Sequence, residues 1–187
     1  FLIQWISSEK AGKVLAPTLF WQISLIASFL FIFYSILIKD ISILLGQVLG
    51  YYIYVRNLRL KNSWRILPRY FRYLVIVVPI IALSILLFGG EYSFSSILKH
   101  NSGGFLLFWG LTGQVIFSCR FIYQWYYSEK VKKSVLPLGF WIFSIIGSLI
   151  ISSYSFYLEL YPILIGHAFG ITLYSRNIAI YKKGRAK

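Results

Sequence analysis

The chain has 187 residues, of which 58% are hydrophobic and only 13% are charged, and its mean hydropathy is +0.72. Soluble domains carry about 25% charged residues, so this composition argues against a soluble domain and favours an integral membrane protein. The net charge is +14, and the charged residues lie between apolar runs. This placement favours one face of a bilayer as the partner and argues against nucleic acid. A single cysteine excludes an intrachain disulfide, and the scattered histidines predict no metal site and no cofactor.

The two ends of the chain repeat each other at a fixed spacing of 120 residues, as from Phe1 to Phe121. The sequence FLIQWISSEK of the first ten residues returns as FIYQWYYSEK, and the register holds without a gap to Asn57 and Asn177. Polar residues, Gly, Pro and Trp align together, which shared hydrophobicity alone does not explain. The sequence therefore contains an internal duplication.

The first copy predicts the tail of one helix and then two apolar spans. Residues 1–6 match the end of a longer apolar run in the second copy, so we expect that residues before Phe1 are missing from this sequence. A basic loop at 8–16 follows, and then apolar runs at 17–38 and 41–54. A run of about 22 residues rises about 33 Å as a helix, enough for a hydrocarbon core about 30 Å thick.

The middle of the chain carries a basic segment and a span that is not repeated. Residues 56–72 hold six Lys or Arg residues and no acid, and the apolar run at 73–88 contains Pro79. Proline is tolerated within membrane helices because neighbouring groups can satisfy the freed carbonyl. A connection rich in Gly and Ser follows. The second copy then predicts spans at 105–126, 137–158 and 160–179 and a basic tail.

Charge placement predicts an orientation. With the loop at 8–16 in the cytoplasm, only Lys39 and Lys99 of the 19 Lys and Arg residues fall outside. The unrepeated span turns the second copy parallel to the first. We predict an all-α integral membrane protein with two parallel three-helix bundles and a linker transmembrane helix, three plus one plus three, with the first helix truncated. Its location would be a bacterial inner membrane with a cytoplasmic C-terminus. The predicted domains are 1–60, 61–103 and 104–187.

The motifs of the second copy, GQVIFSCRFIYQWYYSEK, LPLGFW and GHAFGITLYSRN, resemble those of the lipid-A-disaccharide synthase N-terminal domain family. That family is a three-helix membrane module, and His167 stands where its motif has the glutamine that Gln47 keeps. The resemblance implies lipid A or related glycolipid metabolism, with a membrane lipid or lipid-linked sugar as ligand and a glycosyltransferase as partner. The doubled three-helix unit is also similar in architecture to the SemiSWEET and SWEET transporters, which have a PQ-loop-like fold.

A polar stripe on the third helix of each copy marks the candidate site. Gln47, Tyr54 and Asn57 are spaced so that they share one helix face. Packing is the alternative for the tyrosines and the neighbouring glycines, whereas an amide or imidazole inside a membrane is costly and favours a cavity. The candidate substrate-binding residues are Gln4, Trp5, Trp21, Gln47, Tyr54, Arg56, Asn57, Arg120, Gln124, Trp125, Trp141, His167, Tyr174, Arg176 and Asn177.

Arg120 has two interpretations. Its side chain either extends to the cytoplasmic surface or joins nearby amides and Arg176 around a phosphate head group. Serines follow Trp21 and Trp141 on the second helix of each copy. They either bond their own backbone carbonyls or face a sugar ring. For Glu9 and Glu129 we favour a structural role, either as a helix cap or in an ion pair with Lys10 and Lys130.

No paired carboxylates, nucleophile triad or phosphate loop stands out, so we predict no catalytic residues and favour a non-catalytic protein. The leading hypothesis is a membrane protein that binds or translocates a lipid-linked sugar, or that serves as the membrane partner of a glycosyltransferase. One alternative is a SWEET-like transporter of small sugars. The other is a small membrane-embedded glycolipid transferase.

Overall fold

The computed structural model describes residues 1–37, 41–88 and 104–185. These residues form α-helices and no β-strand, which confirms the predicted all-α class. The turn predicted at Lys39 and Asp40 and most of the Gly- and Ser-rich connection lie outside the described residues. The helices are α1 (Leu2–Ala11), α2 (Thr18–Leu37), α3 (Ile41–Leu60), α4 (Arg69–Phe88), α5 (Gly104–Val131), α6 (Leu138–Tyr157) and α7 (Tyr161–Arg185).

Four helices run past the ends that hydropathy predicts, including α1, which continues to Ala11 into the predicted basic loop at 8–16. The predicted span at 41–54 continues in α3 to Leu60, and α5 and α7 also extend by a turn or more. The added turns are basic, with Arg59 in the last turn of α3 and Lys130 in the last turn of α5. Lys and Arg are good helix formers and are favourable near a helix C-terminus, so the helix continues where the apolar run stops.

Both copies end their first helix with a residue in the left-handed conformation. Gly12 has φ 63° after α1, and its amide donates to the carbonyl of Glu9 at 3.2 Å. The repeat-equivalent residue after α5 is Lys132, with φ 53°. Glycine adopts this conformation without steric cost and lysine does not. The same helix end therefore forms in both copies although only one of them has the favoured residue.

The chain forms two compact units. The terminal unit comprises Phe1–Pro17 and Ser102–Lys187, and the middle unit comprises Thr18–Asn101. In the terminal unit α6 packs against both α5 and α7, and α1 contacts α7. In the middle unit α2 packs mainly against α3, and α4 contacts both. The predicted domain boundaries, and the arrangement as two parallel bundles, stay predictions.

Small residues allow α5 and α6 to approach closely. A Cβ atom added to Gly147 would lie 2.7 Å from the backbone nitrogen of Phe117 and 2.8 Å from its Cα. Real Cβ atoms do not approach a backbone this closely, so only glycine fits. The resulting contact fixes Phe117 beside α6, where it shapes the site described below.

Part of the burial pattern of α6 is the reverse of that on a water-soluble helix, although Phe140, Trp141 and Ile151 are also buried. On α6 the polar residues Ser144 and Ser148 are fully buried, whereas Ile142, Ile146 and Leu149 are exposed. By length and composition alone, two helices in the described part of the chain could cross a membrane, at Leu138–Tyr157 and Tyr161–Gly184. A further apolar helical stretch, Thr18–Tyr34, is shorter.

Candidate functional site

A glutamine closes the loop after the first helix of each copy. Gln4 is fully buried, and its Nε2 lies 2.9 Å from Ser8 Oγ, 3.0 Å from the carbonyl oxygen of Leu15 and 2.9 Å from Asn177 Oδ1. The amide of Leu15 in turn donates to Ser8 Oγ at 2.9 Å. These bonds tie the chain after α1 back onto the helix. They also link α1 to α7 within the terminal unit.

The second copy repeats this arrangement. Gln124 Nε2 lies 2.8 Å from Ser128 Oγ and 2.9 Å from the carbonyl oxygen of Val135, whose amide donates to Ser128 Oγ at 3.2 Å. Gln124 and Ser128 are fully buried. The glutamine and the serine of the Ser-Glu-Lys loop therefore share one structural task in both copies. That task satisfies buried polar groups that would otherwise be costly.

An aromatic pair and a helix-bonded asparagine also occur twice. The ring centroids of Trp21 and Tyr54 lie 6.0 Å apart at 39°, and those of Trp141 and Tyr174 lie 6.1 Å apart at 36°. Asn57 donates from Nδ2 to the carbonyl of Ile53, and Asn177 donates likewise to that of Leu173, both at 2.9 Å. Both tryptophans are fully buried, and among the described residues neither indole N–H has a hydrogen-bond acceptor.

Gln47 and His167 occupy equivalent positions in the two copies, and each makes a hydrogen bond with a serine of the preceding helix. Ser28 donates to Gln47 Oε1 at 2.8 Å, and Ser148 Oγ lies 3.0 Å from His167 Nδ1. An amide oxygen and an imidazole nitrogen can each accept from a serine hydroxyl. These serines therefore do not bond their own helix as one interpretation predicted, although Ser144 does, at 2.6 Å from the carbonyl of Phe140.

Replacing His167 with glutamine is expected to leave the fold intact, because Gln47 makes the equivalent bond to Ser28. The change in unfolding free energy should be below about 1 kcal/mol, the usual net worth of one hydrogen bond. His167→Leu serves as the comparison, because it leaves the Ser148 hydroxyl buried without an acceptor on α7 and should cost more. Detergent unfolding followed by circular dichroism measures both. Equal losses in the two variants would contradict the shared role.

Arg120 is buried among aromatic rings on the inner side of α5. Its side chain is only 6% exposed, so the interpretation in which it extends to the surface is wrong. The guanidinium carbon lies 3.4 Å from the ring centroid of Phe117 and 4.7 Å from that of Phe121. Nη1 donates to the hydroxyl of Tyr174 at 3.4 Å. We call the surrounding rings the aromatic cage; its members are Phe1, Phe117, Phe121, Phe140 and Tyr174.

The cage surrounds a positive charge with aromatic faces. The negative faces of aromatic rings attract a guanidinium, and such contacts contribute about 2 kcal/mol when they are shielded from water. Trp141 packs beside this cage against Tyr174 and Phe140. A cation beside aromatic faces and amides can recognise both a phosphate and a sugar ring.

Arg176 lies outside the cage and forms an ion pair with Glu9. Its Nε donates to Glu9 Oε2 at 3.0 Å, and Nη2 bonds the other carboxylate oxygen. The hydrogen bond from Arg176 holds the pKa of Glu9 below its usual value. Our predicted pairing of Glu9 with Lys10 is wrong, because adjacent residues do not face each other on a helix.

Glu129 likewise differs from the prediction. It pairs with Lys132 at 3.3 Å, three residues further on, instead of the neighbouring Lys130. The same argument from helix geometry applies. Neither glutamate faces the aromatic cage through these pairs, so the Ser-Glu-Lys loops contribute to structure and surface charge.

The candidate residues thus fall into distinct environments. Tyr174 belongs to the cage around Arg120, and Trp141 packs beside it. Gln4, Gln124 and Asn177 belong to the loop network, and Arg176 is exposed. Trp5, Trp125 and Arg56 are half-buried. The described residues contain no cluster of three or more His, Cys, Asp or Glu side chains that could hold a metal ion.

Sequence reasoning missed the phenylalanines of the cage. Phe117 precedes Arg120 by three residues on α5, a spacing that places two side chains on the same helix face. That spacing was a usable signal. Phe140 comes from α6, so its contact with Arg120 depends on helix packing and not on sequence proximity.

The chain matches the Lipid A Biosynthesis N-terminal domain family over residues 1–59 and 109–179, which correspond to the two copies. It is 31% identical to lipid-A-disaccharide synthase of Chlamydia pneumoniae over 158 residues, covering 80% of this chain and 26% of that protein. The Chlamydia muridarum protein of the same name is 30% identical, covering 79% and 26%. The Chlamydia felis protein is 28% identical over 204 residues, covering 99% and 31%. The chain thus spans a quarter to a third of these relatives. No solved structure matches it.

Proposed function

The chain belongs to the lipid A biosynthesis N-terminal domain family, and on that premise we propose that it binds the phosphate-bearing sugar head of a membrane glycolipid. The observation that carries the proposal is the buried Arg120 in its aromatic cage, 6% exposed and 3.4 Å from the Phe117 ring. A protein retains a buried cation at a cost, which makes such a group a candidate for function.

The membrane part of the proposal is supported by the partly reversed burial of α6. Water-soluble helices bury apolar residues and expose polar ones. Here Ser144 and Ser148 are fully buried, and the exposed isoleucines and leucine face outward. Lipid is the solvent that such a surface requires. We therefore propose a multi-pass protein of a bacterial inner membrane, with two parallel three-helix bundles, a linker helix and a cytoplasmic C-terminus.

The chemistry of the cage favours a sugar phosphate over a plain phospholipid at this site. The planar guanidinium of Arg120 presents paired donors that match phosphate oxygens. Trp141 and Tyr174 are 0% and 5% exposed, so a sugar ring would lie against them only in a conformation in which the helices around the cage separate. The buried indole N–H of Trp141 has no hydrogen-bond acceptor among the described residues, so it can donate to a sugar hydroxyl.

The relatives suggest where this binding is used. They are named lipid-A-disaccharide synthase, and the chain corresponds to a quarter to a third of their length. We propose that this chain presents or translocates the glycolipid for a glycosyltransferase, and that the transfer itself happens elsewhere. The rings of the cage are four phenylalanines and one tyrosine, a lining that suits binding.

The wild-type chain is expected to bind a phosphorylated lipid-linked sugar at least tenfold more tightly than the same glycolipid without its phosphate. A buried guanidinium distinguishes the two because only one supplies charge-assisted acceptors. Binding to the full chain in detergent can be followed by tryptophan fluorescence, since Trp141 lies beside the cage. Equal affinity for the two glycolipids would remove the phosphate from the proposal.

Translocation is the second candidate, and the repeated Trp–Tyr and Ser–Gln/His contacts favour it. The two copies present matching side chains, a feature of membrane carriers built from internal repeats. A glycolipid carrier and a SWEET-like sugar carrier can be distinguished by measuring uptake of a lipid-linked sugar and of small sugars into proteoliposomes. Uptake of the glycolipid alone would favour the glycolipid carrier, and uptake of free sugars would favour the SWEET-like one.

A further inference from the structure

An apolar groove lies in the middle unit, and the wall contributed by the segment before and at the start of α4 has no counterpart in the duplication. The groove has a volume of about 340 Å³ and runs between α2 and the start of α4. Its apolar walls include Leu19, Ile23 and Ile26 of α2 and Leu67, Pro68 and Phe71 before and at the start of α4. Its size falls in the range of small-molecule pockets, about 300–1,000 Å³.

The walls of this groove are open to the surroundings. Leu19, Ile23 and Ile26 are each between 44% and 49% exposed, although they line a concave surface. Contiguous apolar grooves of this kind mark binding sites for apolar ligands or membrane contacts. The lining residues of α2 run from Leu19 to Ile26, about two helical turns, which suits an extended hydrocarbon chain.

Three arginines adjoin the groove's lining residues in sequence, and among the described residues of the middle unit no acid accompanies them. They are Arg65, Arg69 and Arg72. Arg72 Nε is buried and makes no hydrogen bond to any described residue. Because α4 begins at Arg69, the positive end of its helix dipole adds to this charge. An anion is the ligand that suits these arginines.

We infer that this groove binds an anionic phospholipid, with one acyl chain along the α2 wall and the phosphate against Arg69 and Arg72. Apolar walls and adjoining arginines together match this molecule, whereas a neutral lipid or a free phosphate matches only one of the two. The inference needs the membrane but not the glycolipid at the aromatic cage, so the two sites can be tested separately. Such a lipid would fix the start of α4 against α2.

The test is lipid binding to the full detergent-solubilised chain, measured by native mass spectrometry. The probes are dioleoylphosphatidylglycerol and dioleoylphosphatidylcholine, which have the same acyl chains. We expect the anionic lipid to bind at least fivefold more tightly. Arg72→Gln should weaken it about fivefold, the effect of about one basic residue near a lipid head group. Lys130→Gln, which removes a charge from the terminal unit, should change it less than twofold.

A repeat-matched pair tests the apolar wall. Ile26→Ser should weaken phosphatidylglycerol binding several-fold, whereas Ile146→Ser should not, because Ile146 is its equivalent in the terminal unit and is similarly exposed. Circular dichroism checks that both variants fold. Equal binding of the two lipids, equal losses from the two serine variants, or full competition by inorganic phosphate would overturn the inference. The inference would also be overturned if the chain formed a dimer that Ile26→Ser abolishes and bound the two lipids without preference. Phosphorylated-glycolipid binding should be unchanged in Arg72→Gln.

Discussion

Replacing Gly147 with alanine is expected to destabilise the terminal unit by about 1–3 kcal/mol, because the added methyl group would overlap the backbone of α5. The new Cβ would lie 2.7 Å from the nitrogen and 2.8 Å from the Cα of Phe117. A flexible side chain could move aside, but a helix backbone moves only as a whole. The two helices would therefore separate, and contacts along their length would weaken together. Denaturant unfolding in detergent, followed by far-ultraviolet circular dichroism, measures the loss.

Gly166→Ala is the matched control for this prediction. Gly166 lies inside α7, and a Cβ atom there would meet nothing within 4 Å. Alanine is the better helix former by about 0.8–1 kcal/mol, so this variant should be as stable as the wild type or more stable. If both variants lost the same stability, helix propensity or a general effect of alanine would explain the result, and the close approach of α5 and α6 would be refuted.

The same substitution links packing to binding. Phe117 is both the residue that Gly147 contacts and the ring nearest to the Arg120 guanidinium. Displacing α5 would move both members of that stacked pair away from Phe140 and Trp141 on α6. Gly147→Ala should consequently weaken glycolipid binding more than its stability loss alone would suggest. The first copy has Ala27 at the equivalent position.

Hydropathy was sufficient to predict the helices of this chain but not their ends. The apolar runs at 17–38 and 137–158 correspond within a residue or two to α2 and α6. Helix α3 instead continues six residues beyond the predicted end at 54, because its last turns are basic. Hydropathy detects where a chain can leave water, whereas backbone hydrogen bonds and helix propensity decide where the helix stops.

Residues that align in the duplication make equivalent contacts within their own copies, but the alignment does not show which helices pack together. Positions that align in sequence make the same bonds, as in the Ser28–Gln47 and Ser148–His167 pairs. What the alignment could not show is which elements pack together. The bond from Gln4 to Asn177 joins residues 173 positions apart, and it places α1 in the terminal unit with the second copy. The contact between Gln4 and Asn177 depends on tertiary packing, which no local sequence pattern encodes.

The pairing of Glu9 illustrates the same limit at the level of charge. Sequence proximity favoured Lys10, but the carboxylate meets the guanidinium of Arg176 at the far end of the chain. An arginine fork binds both carboxylate oxygens, which a lysine cannot do. This pair is exposed to solvent, so its contribution to stability is small. It therefore serves as the natural control when the buried arginine is tested.

Arg120→Gln is expected to weaken binding of a phosphorylated lipid-linked sugar by about 100-fold. A buried, hydrogen-bonded charge pair loses about 2–5 kcal/mol when one partner is removed. Glutamine keeps a polar side chain of similar length, and removing a caged positive charge should not unfold the chain, because buried charges are themselves costly. Arg120→Lys keeps the charge but loses the planar fork and its stacking on Phe117. Its affinity should therefore lie between those of the wild type and Arg120→Gln. Fluorescence titration gives the three affinities.

Arg176→Gln supplies the control, because Arg176 is exposed and already paired with Glu9. Its loss should change glycolipid affinity less than about fivefold, in keeping with the small contribution of exposed ion pairs. The ratio between the two glutamine variants is the informative quantity, since both remove one positive charge from the same unit. A large ratio assigns the phosphate to the cage. Equal and small losses would mean that the rings around Arg120 shield a structural cation, and the ligand would then have to lie elsewhere on the protein.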